Sequence, residues 1–175
     1  MITYNQEDFI RESIESVLSQ KINFNLELII ADDFSQDKTS SIINDIILSN
    51  KKSNCITYIR NETNVGSFKN IKNALDQANG NFIAFCDGDD FYYKTNHLQL
   101  LVEGFLSNPN IGMVSSTYIT EFYNGDITNT KINKSIFDVN DIFFDRQFHI
   151  SSSMIKYEDL ANLLAKFKLS GNYKY

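Results

Sequence analysis

The hydrophobic patterning of this chain predicts an α/β fold, a mostly parallel sheet with helices on both faces. Three observations carry that expectation. The mainly apolar run at 26–31, interrupted only by Glu27, and the unbroken one at 82–86 read as strands buried on both faces, and 55–59 reads as a further strand between them. The segments between them place apolar residues at helical spacing. Both runs end in carboxylates: Asp32 and Asp33 follow the first, and Asp87, Asp89 and Asp90 follow the second. An open α/β sheet has its ligand crevice at the carboxyl ends of its strands.

With 175 residues the chain is expected to form a single domain with a sizeable core. A hydrophobic share of 42% and a charged share of 22% are those of a globular protein. The net charge of −6 argues against nucleic acid as a partner, because that footprint needs a basic face. No apolar run reaches the length of a transmembrane segment, and MITYNQEDF is not a signal sequence, so a soluble cytoplasmic protein is expected. Cys55 and Cys86 each fall in a predicted buried strand, where a thiol acts as a small hydrophobe.

The chain opens with the end of a strand turning into a helix. Asn5 is placed as N-cap with Asp8 as capping partner, and Ile10, Ile14, Val17 and Leu18 form an inward stripe. After the run at 26–31, Ser35 and Asp37 lead as caps into a helix whose inner face holds Ile42, Ile43, Ile46 and Ile47. The third strand, 55–59, runs into Asn64-Val65-Gly66. These residues open a helix expected to turn Phe68, Ile71, Ala74, Leu75 and Ala78 inward, with Gly80 just past its end. Gly66 either permits the turn or lets backbone N–H groups approach a phosphate. Lys69 and Lys72 read as solvated.

Beyond the acidic cluster, Leu98, Leu101, Val102 and Phe105 predict a helix closed by Asn108-Pro109, with His97 on its surface. A strand follows within 111–122, and Asn124-Gly125 signals a turn. Residues 126–148 read as a loop over a site, 147–155 as a short strand and 157–167 as a helix.

Three carboxylates within four positions repel one another, so a cation is expected among them. Hard divalent ions such as Mg²⁺ or Mn²⁺ take oxygen ligands and commonly keep substrate phosphates in their shell. The competing reading is a solvated Asp-Gly turn. A phospho-accepting signalling domain also carries an acid pair like Asp32-Asp33 at a strand end, but the lone phosphorylatable Asp and later Lys of that class are not found.

Four stretches in order decide among these: TYNQEDFIRESIESVLSQ at 3–20, ELIIADDFSQDKT at 27–39, NVGSFKN at 64–70 and GNFIAFCDGDDFYY at 80–93. Together they resemble the family 2 glycosyltransferases of the GT-A fold, a Rossmann-like architecture. The resemblance implies a nucleotide-sugar donor, most simply a UDP-sugar, bound by residues 1–110, with 111–175 a partial acceptor-side half. By matching position, Thr3, Tyr4 and Asn5 would line the nucleoside pocket. Asp32, Asp33, Asn64, Gly66, Asp87 and Gly88 would complete the nucleotide-sugar site, with Asp33 accepting from the base and Asp87 approaching the ribose. Asp89, with Asp87, would hold the Mn²⁺ or Mg²⁺ ion.

The implied reaction is sugar transfer with inversion to a glycan or lipid-linked acceptor, in the cytoplasm or peripherally at the inner face of a membrane. The sequence departs from the family pattern twice. Only Met1 and Ile2 stand where the first strand belongs, and Asn172 stands where the catalytic acid is expected, although an amide cannot take a proton. The catalytic base is therefore unassigned. The first strand and the C-terminal part are expected to be incomplete, and a non-catalytic nucleotide-sugar-binding domain is the alternative.

Overall fold

The structure, a computed structural model, describes residues 1–121, 125–130 and 149–162. The chain groups into two compact units, Met1–Gly80 with Cys86–Leu100, and Asn81–Phe85 with Leu101–Tyr175.

The first unit is built on a parallel sheet of β1 (Ile2–Thr3), β2 (Leu28–Asp32) and β3 (Ile56–Arg60), in that spatial order. The register sets Thr3 beside Asp32 and Asp32 beside Arg60. Every residue of β2 except Ile29 is buried, as its unbroken apolar run predicts. The stripe of α1 (Ile10–Leu18) is fully inside, with Ile10 and Ile14 at 0% exposure. This helix packs on α2 (Thr39–Ser49), which buries Ile43 and Ile46, while α3 (Ser67–Leu75) packs on β1 and β2.

Several local expectations are corrected. Asn5 is not an N-cap: α1 begins at Ile10 after Phe9, and Asn5 sits at φ 52° in the preceding loop, with its side chain accepting from Gln36 N at 2.7 Å. Its short amide side chain tolerates that left-handed conformation. Gly80 is not the end of α3, which closes at Asp76. Phe68 is 44% exposed, and the buried residues of that helix are Asn70 and Leu75. Cys55 lies in a 3₁₀ turn, Ser53–Cys55, and is half-buried. His97 is not a simple surface residue: it stacks on Tyr92 with ring centroids 4.5 Å apart, and its Nε2 is buried without a hydrogen-bond partner among the described residues.

In the second unit β4 (Phe82–Ala84), β8 (Ser153–Lys156) and β5 (Met113–Ser115) form an antiparallel sheet in that order. The run at 82–86 is thus not a doubly buried strand of a parallel sheet. It yields three half-buried residues in an outer position, Ile83 opposite Ile155, and the chain leaves the strand before Cys86. The strand expected over 111–122 is two, β5 and β6 (Tyr118–Glu121); β6 pairs antiparallel with β7 (Ile127–Thr130), and Asn124 of the expected turn lies outside the described residues. The helix α4 (His97–Ser107) ends before Pro109, as predicted, and Phe82 meets Phe105 at 4.8 Å between ring centroids. The strand expected at 147–155 begins only at Ser153, after a 3₁₀ turn, Ile150–Ser152. Most of the 126–148 loop, the end of the 157–167 helix and Asn172 lie outside the described residues.

Candidate functional site

Parallel pairing sends the carboxyl ends of β1, β2 and β3 to one edge of the sheet, and backbone bonds tie the loops leaving them together. Asp33 N donates to Thr3 O at 2.9 Å, and Asn61 N donates to Asp32 O at 2.9 Å. The acidic turn joins the same edge, because Gly88 N donates to Ile2 O at 2.9 Å. β1, only two residues long, is therefore flanked by the Asp33 loop on one side and the Asp87–Asp90 turn on the other.

Gly88 is glycine for reasons of space. A Cβ built on it would stand 2.3 Å from Gln6 Oε1, 2.7 Å from Thr3 Oγ1 and 2.8 Å from Thr3 Cβ. Thr3 is buried and its hydroxyl donates to Gln6 Oε1 at 2.7 Å, so these neighbours are themselves held. Gly66 is glycine for conformation: its φ is 85° and nothing lies within 4 Å of a built Cβ.

The loops after β1 and β2 are zipped by reciprocal side-chain and backbone bonds. Asn5 N donates to Ser35 Oγ at 2.9 Å, Gln6 N to Thr39 Oγ1 at 2.8 Å and Glu7 N to Asp37 Oδ2 at 3.0 Å. In return Lys38 N donates to Glu7 Oε2 at 2.7 Å. Asp37 also accepts from Thr39 N at 3.0 Å, at the start of α2. Burial works against the Asp37 charge, but bonds from Thr39 and Glu7 outweigh it and hold the carboxyl below its usual range. Tyr4 and Asn5 stand exposed on this floor.

The two acids at the end of β2 have different surroundings. Asp32 is at 0% exposure, and its oxygens accept four bonds: Ser35 N at 2.9 Å and Ser35 Oγ at 2.5 Å on Oδ1, Tyr58 OH at 2.9 Å and Arg60 Nε at 3.2 Å on Oδ2. A carboxylate has about four lone-pair positions, so Asp32 is saturated. Arg60 goes on to donate to Ser35 O at 2.8 Å and lies 5.1 Å from the centre of the Phe34 ring. Phe34 has φ 67°, a left-handed conformation that is uncommon for an aromatic residue and collects at functional sites. Burial, with the Asp32 charge adding to it, pushes the Tyr58 phenol up to about 12.

Asp33 reaches across to the loop after β3. Its Oδ1 accepts from Asn61 Nδ2 at 2.9 Å and Val65 N at 2.8 Å, and its Oδ2 accepts from Gly66 N at 2.8 Å. Asn64 Oδ1 also accepts from Gly66 N, at 3.2 Å. The Gly66 amide is therefore engaged within the protein, which favours the turn reading of that glycine over phosphate approach. Asn70, 1% exposed, secures this loop by donating to Ala31 O at 2.8 Å and accepting from Asn61 Nδ2 at 2.9 Å. Sequence reasoning misses Asn70, although a polar residue beside Ile71 and Leu75 is a visible signal.

In the acidic turn Asp87 and Asp90 are half-buried and Asp89 is exposed. Cys86 lies beneath them, 4% exposed, with its thiol directed at Asp90 O at 3.4 Å and Asp87 O at 3.8 Å. Burial, reinforced by the three neighbouring carboxylates, pushes that thiol up to about 12, so it stays a protonated donor. Among the described residues no three His, Cys, Asp or Glu side chains converge into a metal cage. Mg²⁺-type ions need less than a cage, commonly one or two carboxylates with the remaining positions filled by water and substrate phosphates. The hard-oxygen donors at Asp87 and Asp89, the latter exposed to solvent, fit that sparse mode.

A parallel sheet whose strand-end loops and acidic turn share one edge defines an open α/β domain with its ligand crevice at the carboxyl ends of the strands. The sequence profile of Glycosyl transferase family 2 matches residues 1–164, and the chain belongs to that family. Over 92 residues, 53% of this chain and 34% of the relative, it is 41% identical to an Escherichia coli UDP-Glc:alpha-D-GlcNAc-diphosphoundecaprenol beta-1,3-glucosyltransferase. Over 89 residues, 50% of this chain and 28% of the relative, it is 35% identical to a Campylobacter jejuni GalNAc(5)-diNAcBac-PP-undecaprenol beta-1,3-glucosyltransferase. The chain thus spans about a third of the length of these curated relatives.

Among solved structures, a Pyrobaculum calidifontis mannosyltransferase in complex with GDP-Man and Mn²⁺ superposes with a TM-score of 0.67 at 20% identity, covering 93% of this chain and 44% of that one. S. aureus TarS 1–349 in complex with UDP also gives 0.67, at 21% identity, covering 93% and 47%. These likenesses establish the GT-A type of α/β fold. No helix among the described residues is long and apolar enough to cross a membrane.

Proposed function

We propose that this chain carries the donor site of a metal-dependent, inverting glycosyltransferase that uses a UDP-sugar. The observation that carries the reading is the meeting of the Asp33 loop and the Asp87–Asp90 turn on the two residues of β1. Tyr4 and Asn5, exposed above the zipped loops, would receive the nucleoside with Thr3 beneath. Asp33, 4% exposed and with three bonds already accepted, holds the Asn64–Gly66 loop in place and would offer its one remaining acceptor position, on Oδ2, to the N–H of a base. Asp32 is assigned to the framework, since no acceptor position on it is left for a ligand.

Asp89, with Asp87, would hold Mn²⁺ or Mg²⁺ against the diphosphate. When bound, that ion neutralises charge developing on the departing nucleoside diphosphate. In the transfer the acceptor hydroxyl oxygen bonds to the anomeric carbon as the bond from that carbon to the phosphate oxygen breaks. UDP leaves, and the hydroxyl proton passes to a carboxylate base. None of the described residues is assigned to that role.

The uracil preference rests on the UDP-Glc named for the E. coli relative and the UDP bound by TarS; the GDP-Man bound by the Pyrobaculum enzyme is the competing nucleotide. A lipid-diphosphate-linked saccharide is proposed as acceptor because both curated relatives are named for undecaprenol-linked substrates, and this would place the protein peripherally at the inner face of a membrane. Ligand-observed NMR with UDP-, GDP- and dTDP-sugars, with and without diamagnetic Mg²⁺, tests the reading. Saturation transfer to the UDP-sugar, strengthened by Mg²⁺, is expected. Equal or absent response across the panel would reject it.

A further inference from the structure

Beside the apolar stripe of α1 runs a row of polar side chains at 13, 16 and 20, spaced to share one face of a helix and its extension. Ser13 is 1% exposed and Gln20 is 4% exposed. Polar groups buried this deeply destabilise a fold unless they are paired. Across the row, the long-range partners are backbone groups of one segment, residues 88–98. Ser13 Oγ donates to Gly88 O at 2.9 Å, and Tyr92 N donates to Ser16 Oγ at 3.0 Å. Gln20 Nε2 donates to Lys94 O at 2.9 Å, and Gln20 Oε1 accepts from Leu98 N at 3.0 Å. Lys21 N adds a bond to Thr95 O at 2.6 Å.

At 1.5 Å of rise per residue, Ser13 to Gln20 spans about 10 Å. The helix thus works as a rigid ruler along which the chain leaving the acidic turn is fastened at five points, four of them by the side chains of the row. The first fastening is on Gly88, between Asp87 and Asp89, and the last is at the start of α4.

We propose that Ser13, Ser16 and Gln20 are positioning residues for the acidic turn, fixing where the Asp87 and Asp89 carboxylates stand relative to the donor diphosphate. This rests on the donor-site reading given above. Side chains that orient metal ligands from behind commonly change metal affinity about 10- to 100-fold when removed. Nothing in the row touches the ligand itself, so its loss should appear in metal uptake and not in nucleotide affinity.

The test uses the full chain saturated with UDP and titrated with Mn²⁺, with free Mn²⁺ followed by electron paramagnetic resonance. UDP affinity without metal and the melting temperature are measured in parallel. Ser13→Ala and Ser16→Ala are expected to weaken Mn²⁺ binding about tenfold, with metal-free UDP affinity within about twofold of wild type. Ser16→Thr, which keeps the hydroxyl, is expected to restore Mn²⁺ binding. Ser16 is only half-buried, so its variants stay measurable if Ser13→Ala proves too unstable. Lowered melting temperatures with wild-type Mn²⁺ binding would reduce the row to packing and overturn the proposal. Asp89→Asn serves as the reference: if it leaves Mn²⁺ binding intact, the metal reading of the turn fails and the positioning role falls with it.

Discussion

Replacing Gly88 with alanine adds one methyl group at the place where the acidic turn crosses β1. That carbon would lie 2.8 Å from Thr3 Cβ and 2.3 Å from Gln6 Oε1, whereas carbon atoms rest at about 3.5–4.0 Å. Gln6 can swing away, but Thr3 Cβ is fixed to the strand, so the turn or the strand must move by about 1 Å. Overpacking of this kind costs about 1–3 kcal/mol. For a chain of this size that corresponds to a fall in melting temperature of about 2–12 °C. The functional cost is expected to be larger, because a displacement of about 1 Å in a positioned site can cost on the order of 100-fold. Calorimetric titration of the variant with UDP and Mn²⁺ should show at least a tenfold loss relative to wild type. Adding Gln6→Ala should not restore binding, because the Thr3 contact remains. A Gly88→Ala protein that melts and binds as wild type does would refute the close-approach argument.

Asp32→Ala removes the acceptor of two buried and two half-buried bonds, while the Arg60 side chain, 40% exposed, can still turn to water, so a destabilisation of about 2 kcal/mol or more is expected in urea unfolding. A loss below about 1 kcal/mol would contradict the framework role of that acid. Burial, with a contribution from Lys94, holds His97 below its ordinary pKa, so the folded protein binds a proton there less readily than the unfolded chain does. Stability from this group is present above about pH 6.5 and is lost as pH falls through the depressed value. His97→Phe, keeping the stack on Tyr92, should flatten the dependence of melting temperature on pH between about 7 and 5, and an unchanged profile would contradict it.

How much of this can be read from the residues depends on the range of the interaction. The strand at 28–32 is legible because an unbroken apolar run ending in two acids fits little besides a buried strand that opens on a polar crevice, and α1 because its stripe has a single period. The strand at 82–84 reads from its residues as doubly buried and parallel, because a run of apolar residues carries no information on which strand will lie beside it. Asn5 has the composition of an N-cap, yet tertiary bonds to Ser35 and Gln36 draw it into a left-handed turn five residues before the helix. Hydrophobicity alone turns Phe68 inward and passes over Asn70, because it takes no account of the carbonyl of Ala31, which needs a donor from α3. The acids of the site are all visible as residues. Their division of labour is not, since saturation of Asp32 depends on Tyr58 and Arg60 arriving from another strand.

The most direct measurement is calorimetric titration of UDP into the wild-type chain and into Asp89→Asn, each with and without Mn²⁺. Mn²⁺ is expected to tighten UDP binding to wild type by at least tenfold and to leave Asp89→Asn at the metal-free affinity. Equal enhancement of both proteins by Mn²⁺, or none in wild type, would contradict it.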